Sequence, residues 1–452
     1  MNLDNFFYAK SIAVIGASKE PNKIGHVIFR NFIDTDYEGK VYPINPNADN
    51  ILNHKAYRTV LDIKKKIELA IIAVPAKFVL KVIEQCGKKK IKDVLIITAG
   101  FEEIGNTKLK KQLLKILNKY KIKVIGPNCI GTFNAHNNLD SLFLPRSRLK
   151  RPKQGTISFV TQSGALGSAI LDLAAKEGYG ISKFISYGNA INVTESDIIE
   201  YLGNDPNTKV ICLYIEGVRD GKKFIEVCKK VAKKKPIITI KGGTTEAGSK
   251  ATLSHTGSLA GSAEIYKGVF KQVGIIEADT LEDLFNYARV LEKCIKPKGK
   301  RVQIITNGGG YGIVSADSLS KYKLEPAQLS SKTKIKLKKQ FPSLVTIKNP
   351  MDLVGDADTK RYKIAIDACM KDKNVDILYI VLLYQTPLIT PDIIDIVAEY
   401  NNLKLKPIIT VSTGSEFTEV LRKGLEESNV PCFEFPDNAM KAIGKLVKFY
   451  KK

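Results

Sequence analysis

Short apolar, β-branched runs return along the whole chain, each closed by a glycine-containing or polar turn and followed by a longer stretch of mixed polarity. Five open it: SIAVIG at 11–16, KVYPIN at 40–45, ELAIIAV at 68–74, DVLIIT at 93–98 and KVIG at 123–126. This rhythm predicts βαβ units, and so a parallel sheet with helices on both faces. A second series starts with GTISFVTQSGALG at 155–167 and continues through KVICLYIEG at 209–217 and KPIITIKGG at 235–243. A third starts with RVQIITNGGGYG at 301–312 and runs through VDILYIVLLY at 375–384 and KPIITVSTG at 406–414. Each series can build one open α/β domain. The stretches between them, 144–155 and 294–301, are basic and carry proline, as linkers do. The expected domains are 1–147, 153–295 and 299–452.

Composition agrees with this plan. A length of 452 residues suits three domains at roughly 150 residues each. At 44% hydrophobic and 26% charged, the chain is neither disordered nor a coiled-coil rod. No run approaches the roughly 20 apolar residues that span a bilayer, and the N-terminus lacks the plan of a signal peptide. A cytoplasmic protein without a membrane partner is expected. The seven cysteines are scattered, with no CxxC pair, so they read as free thiols, and no metal site is expected. The net charge of +25 would suit a polyanionic partner. Its lysines are spread evenly, however, with no RNA-binding or zinc-finger motif beside them, which favours a solvated surface and no nucleic acid.

In open α/β sheets, ligands gather at the carboxyl ends of strands, where helix N-termini offer free N–H groups. The first such turn is IGASKEPNKIG. A nicotinamide site would need GxGxxG and an acid closing the second strand; this turn offers Gly16-Ala17-Ser18, and the second strand ends in Asn45-Pro46. A dehydrogenase is disfavoured. What remains is a turn suited to a phosphorylated ligand, with Lys23 available to neutralise charge. The stretch GGTTEAGSK at 242–250 nearly matches a P-loop, but Ser249 and Lys250 stand in reversed order, so neither would reach its phosphate or metal.

Of four histidines, His255 lies in a loop dense in Gly, Ser and Thr, GSKATLSHTGSLAGS at 248–262. A neutral imidazole can attack phosphorus and hold a phosphoryl group, given a small-sided loop and N–H donors for the anion. Such donors would come from the strand-to-helix turn at 161–167, around Ser163 and Gly164; that turn reads equally as ordinary helix capping. Glu216, ending LYIE, is placed either to orient the imidazole or simply as a strand-end carboxylate.

Together, the segments IGASKEPNKIG, VYPINPNA, AVPAKFV, ITAGFEE, GPNCIG, TQSGALG, SYGNAINVTESDIIEYLGNDP, LYIEG, KGGTTEAGSKATLSHTGSLAG, TNGGGYG and NPMDL resemble the α subunits of nucleoside-diphosphate-forming acyl-CoA synthetases. These are relatives of succinyl-CoA synthetase, and the resemblance is to the ADP-forming acetate:CoA ligases of archaea. It implies an N-terminal Rossmann-like CoA-binding domain followed by two flavodoxin-like ligase domains. Coenzyme A would lie against Gly16, Ala17, Ser18, Lys23, Asn45, Val74, Pro75, Thr98 and Ala99. Asn128 and Asn189 would border the acyl end, with Cys129 a packing residue. His255 would carry the phosphoryl group, Glu216 would orient it, and Ser163 with Gly164 would hold phosphate. The resemblance further implies a monocarboxylic acid such as acetate, ADP/ATP with Mg on an ATP-grasp β subunit, and an α2β2 assembly. A CoA-binding regulatory module without turnover is the alternative; the intact SHTGS loop argues against it.

Overall fold

The computed structural model describes residues 1–248 and 262–451. Contacts divide the chain into two compact units, Met1–Glu277 and Ala278–Lys452. Among the described residues, the first unit holds two large sheets and a two-stranded one, and the second holds one large sheet.

The first sheet contains β1 (Ser11–Ile15), β2 (Lys40–Ile44), β5 (Leu69–Ile72), β6 (Asp93–Ile96) and β7 (Lys123–Ile125), in the order β2-β1-β5-β6-β7. A small hairpin of β3 (Asn50–Ile51) and β4 (His54–Lys55) stands apart. All neighbours in the five-stranded sheet are parallel. The central strands are apolar along their length because helices cover both faces. The helices Ala76–Lys88 and Thr107–Tyr120 bury Val79 and Ile83, and Leu113 and Leu117, at a spacing of four, which leaves their lysines in water.

The second sheet runs β14-β13-β12-β10-β11-β8-β9. Its members are β8 (Thr132–Asn134), β9 (Leu139–Asp140), β10 (Gln154–Thr161), β11 (Ile181–Ser186), β12 (Val210–Ile215), β13 (Ile237–Lys241) and β14 (Ile276–Glu277). β8 pairs antiparallel with β11, so residues that follow the first sheet in sequence complete the edge of the second. The basic stretch after β9 is docked: Asp140, fully buried, accepts from Arg146 Nε at 3.0 Å and from Arg151 Nε at 2.9 Å. A buried carboxylate needs such partners.

The third sheet contains β15 (Arg301–Thr306), β16 (Glu325–Pro326), β17 (Thr346–Ile347), β18 (Met351–Asp352), β19 (Ile377–Val381), β20 (Ile408–Val411) and β21 (Cys432–Phe433). The order is β17-β18-β15-β19-β20-β21, with β16 beside β15. The helix Leu281–Lys293, which the sequence assigns with the second series, belongs to this second unit. It is tied there by Glu426, which accepts from Arg289 Nη1 at 2.7 Å, from Cys432 N at 2.8 Å and from Lys293 Nζ. Each of the three sheets has one point where the winding direction reverses: between β1 and β5, between β10 and β12, and between β15 and β19.

Burial pushes the Glu426 carboxyl up, but Arg289 and Lys293 outweigh it and hold it below the ordinary value. A depressed carboxylate stabilises the fold above its unfolded pKa of about 4.3 and loses that contribution as pH falls through the folded value. Glu426→Ala, which strands a buried guanidinium, should cost about 3–5 kcal/mol in urea unfolding of the full chain followed by far-UV circular dichroism. The variant's stability should also depend less on pH below about 4.

Candidate active site

At the first reversal point, Gly16 turns the chain out of β1 at φ +96°, a conformation glycine adopts without strain. A Cβ there would meet Ala73 O at 2.4 Å and Val74 Cγ1 at 2.9 Å. Gly25 opens the following helix equally closely, since its Cβ would lie 1.9 Å from Gly16 O. Two backbones therefore converge on one turn, and in an open α/β sheet such a reversal point is where a crevice forms. Asn45 Nδ2 donates to Ala17 O at 2.7 Å and Asn45 Oδ1 accepts from Asn47 N at 2.8 Å, so an amide stands at the end of the second strand. His26, buried in the helix, approaches Ser18 O at 2.8 Å through Nδ1. Thr98 Oγ1 donates to Val74 O at 2.7 Å, and Thr98 O accepts from Asn128 N at 3.0 Å. Gly16, Ala17, Asn45, Val74, Thr98 and Asn128 are thus joined at one end of the sheet. Ser18 is half-buried beside them, and Pro75 and Ala99 lie exposed at the strand ends. Lys23 is exposed and pairs with Glu20 at 3.7 Å, a contact worth little in water.

The segment leaving β7 leads to the second sheet. Asn189 N donates to Pro127 O at 2.9 Å, and Asn128 Nδ2 reaches Asn189 Oδ1 at 3.4 Å. The residues that hold these two asparagines were not singled out from sequence. Glu103 accepts from Asn189 Nδ2 at 2.5 Å, from Phe101 N at 3.1 Å and from Gly100 N. Glu102 pairs with Arg219 Nη2 at 2.7 Å, and the same nitrogen donates to Asn189 O at 2.9 Å. Burial acts to raise both carboxyls, but their hydrogen bonds win and hold both below the ordinary range. Their only signal in the sequence was an adjacent acidic pair after a strand. Cys129 is 4% exposed, and burial pushes its thiol up to about 12, so it stays protonated and poorly nucleophilic at neutral pH.

At the second reversal point, Ser163 caps the helix Gly164–Lys176 by accepting from Leu166 N at 3.4 Å. A Cβ on Gly164 would strike Ile130 at 2.6 Å, so the helix start lies against the segment that leaves the first sheet. Glu216, 7% exposed, follows directly on β12. Gln162 joins the two: its Oε1 accepts from Glu216 N at 2.8 Å and from Gly217 N at 3.2 Å. Behind them lie Tyr187 and Glu195, both essentially inaccessible. Glu195 Oε1 accepts from Arg219 N at 3.3 Å, and burial raises its carboxyl above the ordinary value. Lys241 Nζ sits 4.7 Å over the Tyr266 ring; burial lowers its pKa, and Glu216 opposes the shift. Gly242 passes close to Glu216, where a Cβ would meet Glu216 Cγ at 3.5 Å. His255 and the loop around it lie outside the described residues.

The arrangement offers two neighbouring sites: a crevice at the first sheet, and a helix start beside a carboxylate at the second. A helix N-terminus attracts an anion. Among the described residues no group of three or more His, Cys, Asp or Glu side chains is placed to hold a metal ion, and no helix is long and apolar enough to cross a membrane.

Comparison with known proteins matches residues 10–135 to a CoA binding domain and residues 154–291 to a succinyl-CoA ligase like flavodoxin domain. The α subunit of acetate–CoA ligase (ADP-forming) II from Pyrococcus furiosus is 42% identical over 99% of this chain and 97% of its own length. An acetate–CoA ligase (ADP-forming) from Methanocaldococcus jannaschii is also 42% identical, and this chain spans 62% of its length. A solved structure of acetyl-coenzyme A synthetase 1 from Ca. Korarchaeum cryptofilum, in complex with phosphate and ADP, superposes with a TM-score of 0.93. It is 36% identical, and the match covers 100% of this chain and 97% of that one.

All seven cysteines are buried, each as a thiol. Titration of the native protein with a disulfide reagent should therefore release little colour until denaturant is added, when all seven should react. Rapid labelling of a native thiol would contradict the packing around Cys129.

Proposed function

We propose a division of labour for this chain from the premise that it belongs to the ADP-forming acyl-CoA ligase family as an α subunit: the first sheet binds coenzyme A, and the second carries the phosphoryl group. The observation that carries this reading is the second reversal point, where a capped helix start and a nearly buried carboxylate lie side by side and are joined by Gln162. In the ATP-forming direction, a phosphate oxygen attacks the thioester carbonyl carbon, the C–S bond breaks, and coenzyme A leaves with a proton. The acyl phosphate then gives its phosphoryl group to a neutral nitrogen of His255 as the P–O bond to the carboxylate breaks, freeing the acid. Finally the β-phosphate of ADP takes the group, which regenerates the imidazole.

The phosphoryl transition state is loose and anionic, so positioning and electrostatics supply most of the catalysis. Ser163 and Gly164 at the helix start would hold the transferring anion, and Glu216 would accept the second imidazole N–H and fix the tautomer. Coenzyme A phosphates would approach Gly16, Ala17 and Ser18, where no side chain blocks the main chain, with Lys23 supplying mobile positive charge. Asn45, Val74, Pro75, Thr98 and Ala99 would line the rest of that site. Asn128 and Asn189, steadied by Glu103, would border the thioester and a small monocarboxylic acid such as acetate. The nucleotide and its Mg would be held by a separate ATP-grasp β subunit in an α2β2 assembly; of this, naming of the relative as an α subunit supports the separate partner subunit. Seven buried thiols suit a reducing cytoplasm.

His255→Asn should abolish net turnover with the β subunit present and leave coenzyme A affinity nearly unchanged by calorimetry; full activity in this variant would reject the carrier role. Glu103→Ala, which frees Asn189 and the loop at 99–101, should raise KM for acetyl-CoA about tenfold with a smaller effect on the rate of phosphohistidine formation from labelled ATP.

A further inference from the structure

Glu216 can orient the imidazole only while its turn stays in register with the helix start. We infer that Gln162 is a positioning residue for this reaction, its single carboxamide oxygen clamping the Glu216 turn to the phosphate-binding turn. The inference rests on the role of Glu216 proposed above.

Two consecutive backbone N–H groups, those of Glu216 and Gly217, converge on Gln162 Oε1 at 2.8 and 3.2 Å. Only an acceptor can satisfy both, which assigns that atom as the oxygen of the amide. The Tyr187 hydroxyl reaches the same oxygen at 3.4 Å from a fully buried position. The main chain of Gln162 is attached to the same strand in the opposite sense, its N–H donating to Tyr214 O at 3.1 Å. One residue thus exchanges bonds with both sides of Ile215, and its neighbour Ser163 caps the helix. Moving Gln162 would shift the carboxylate and the anion-binding turn relative to each other.

The third sheet repeats the construction independently. Thr161 Oγ1 donates to Ser163 O at 2.7 Å and accepts from Ser163 N at 3.1 Å. Thr306 Oγ1 does the same with Gly308, at 3.0 Å in each direction. Asn307 then stands where Gln162 stands, its Oδ1 accepting from Leu383 N at 3.0 Å and lying 2.9 Å from the buried Tyr362 hydroxyl, which also reaches Val381 O at 2.6 Å. An amide oxygen, a strand-end N–H and a buried tyrosine therefore recur at two reversal points. The longer glutamine reaches two N–H groups where asparagine reaches one, and the first of these belongs to Glu216.

The test uses the holoenzyme with its partner subunit. Gln162→Met keeps the length and removes the acceptor; kcat for ATP formation should fall about 100-fold, as for a small misplacement of a reacting group, while KM for acetyl-CoA stays within about twofold. Single-turnover labelling of this chain by γ-labelled ATP should slow in parallel. Gln162→Glu, whose carboxylate accepts the same bonds, should recover most of the rate. An undiminished kcat in Gln162→Met would overturn the clamp. If that variant fails to fold, Gln162→Asn and Gln162→Glu decide: a slow asparagine enzyme beside a fast glutamate enzyme supports the clamp, and equal rates or the reverse order reject it. His255→Asn is assayed alongside. If it is inactive while Gln162→Met is fully active, the clamp alone fails; if it is active, the phosphohistidine reading fails and the clamp falls with it.

Discussion

Where a parallel sheet reverses its winding, two adjacent strands send their chains to opposite faces, and the N–H groups at their carboxyl ends lose the ladder that satisfied them. A buried N–H without an acceptor is costly, so each reversal point needs a local answer. This chain meets the constraint three times. At the first sheet, Ala73 N donates to Ile15 O at 2.8 Å across the reversal point, and the missing side chain of Gly16 lets the backbones of Gly16, Gly25 and Ala73 crowd together. At the second and third, a side-chain amide reaches across, Gln162 to Glu216 and Gly217 and Asn307 to Leu383. The same constraint that keeps the sheets intact therefore creates the clefts and sets what lines them.

The two clefts of the first unit are joined by charge. Glu102 and Glu103, consecutive in sequence, point to different tasks: one pairs with Arg219, and the other holds Asn189 and two backbone N–H groups. Arg219 in turn donates its backbone N–H to Glu195 and lies on the same loop as Glu216. A path of hydrogen bonds thus leads from the loop after β6 to the turn that ends β12. In partly buried surroundings such bonds are strengthened, and a carboxylate with several donors is fixed in place. Under the function proposed for the two sites, this path would keep the thioester end and the phosphoryl site in register.

The lysine excess has a similar two-part character. A few cations are buried and fully engaged, such as Lys183, which pairs with Asp205 at 2.7 Å and lies 5.0 Å over the Tyr8 ring. Burial of a charge demands such partners. Most of the remaining lysines, including Lys23 beside the first cleft, sit in water, where they contribute mainly to solubility.

The sequence by itself determined the strands and their type. Apolar runs such as IAVI, LAII and IITI are buried on both faces, and that requirement is written in composition alone. It also marked the turns at Gly16, Ser163 and Glu216, because close backbone approach and helix capping demand particular residues. Tertiary structure alone decided that residues 132–140 cross to the second sheet, and that the helix at 281–293 joins the second unit. Both depend on which edges and faces remain uncovered once neighbouring elements have packed. It alone also brought Gln162 to Glu216 and Gly217, Glu103 to Asn189, and Arg219 to Asn189 and Glu102, partners that lie between 30 and 117 residues away in sequence. A polar side chain's partner is set by where folded strand ends meet in space, and no periodicity along the chain records that meeting.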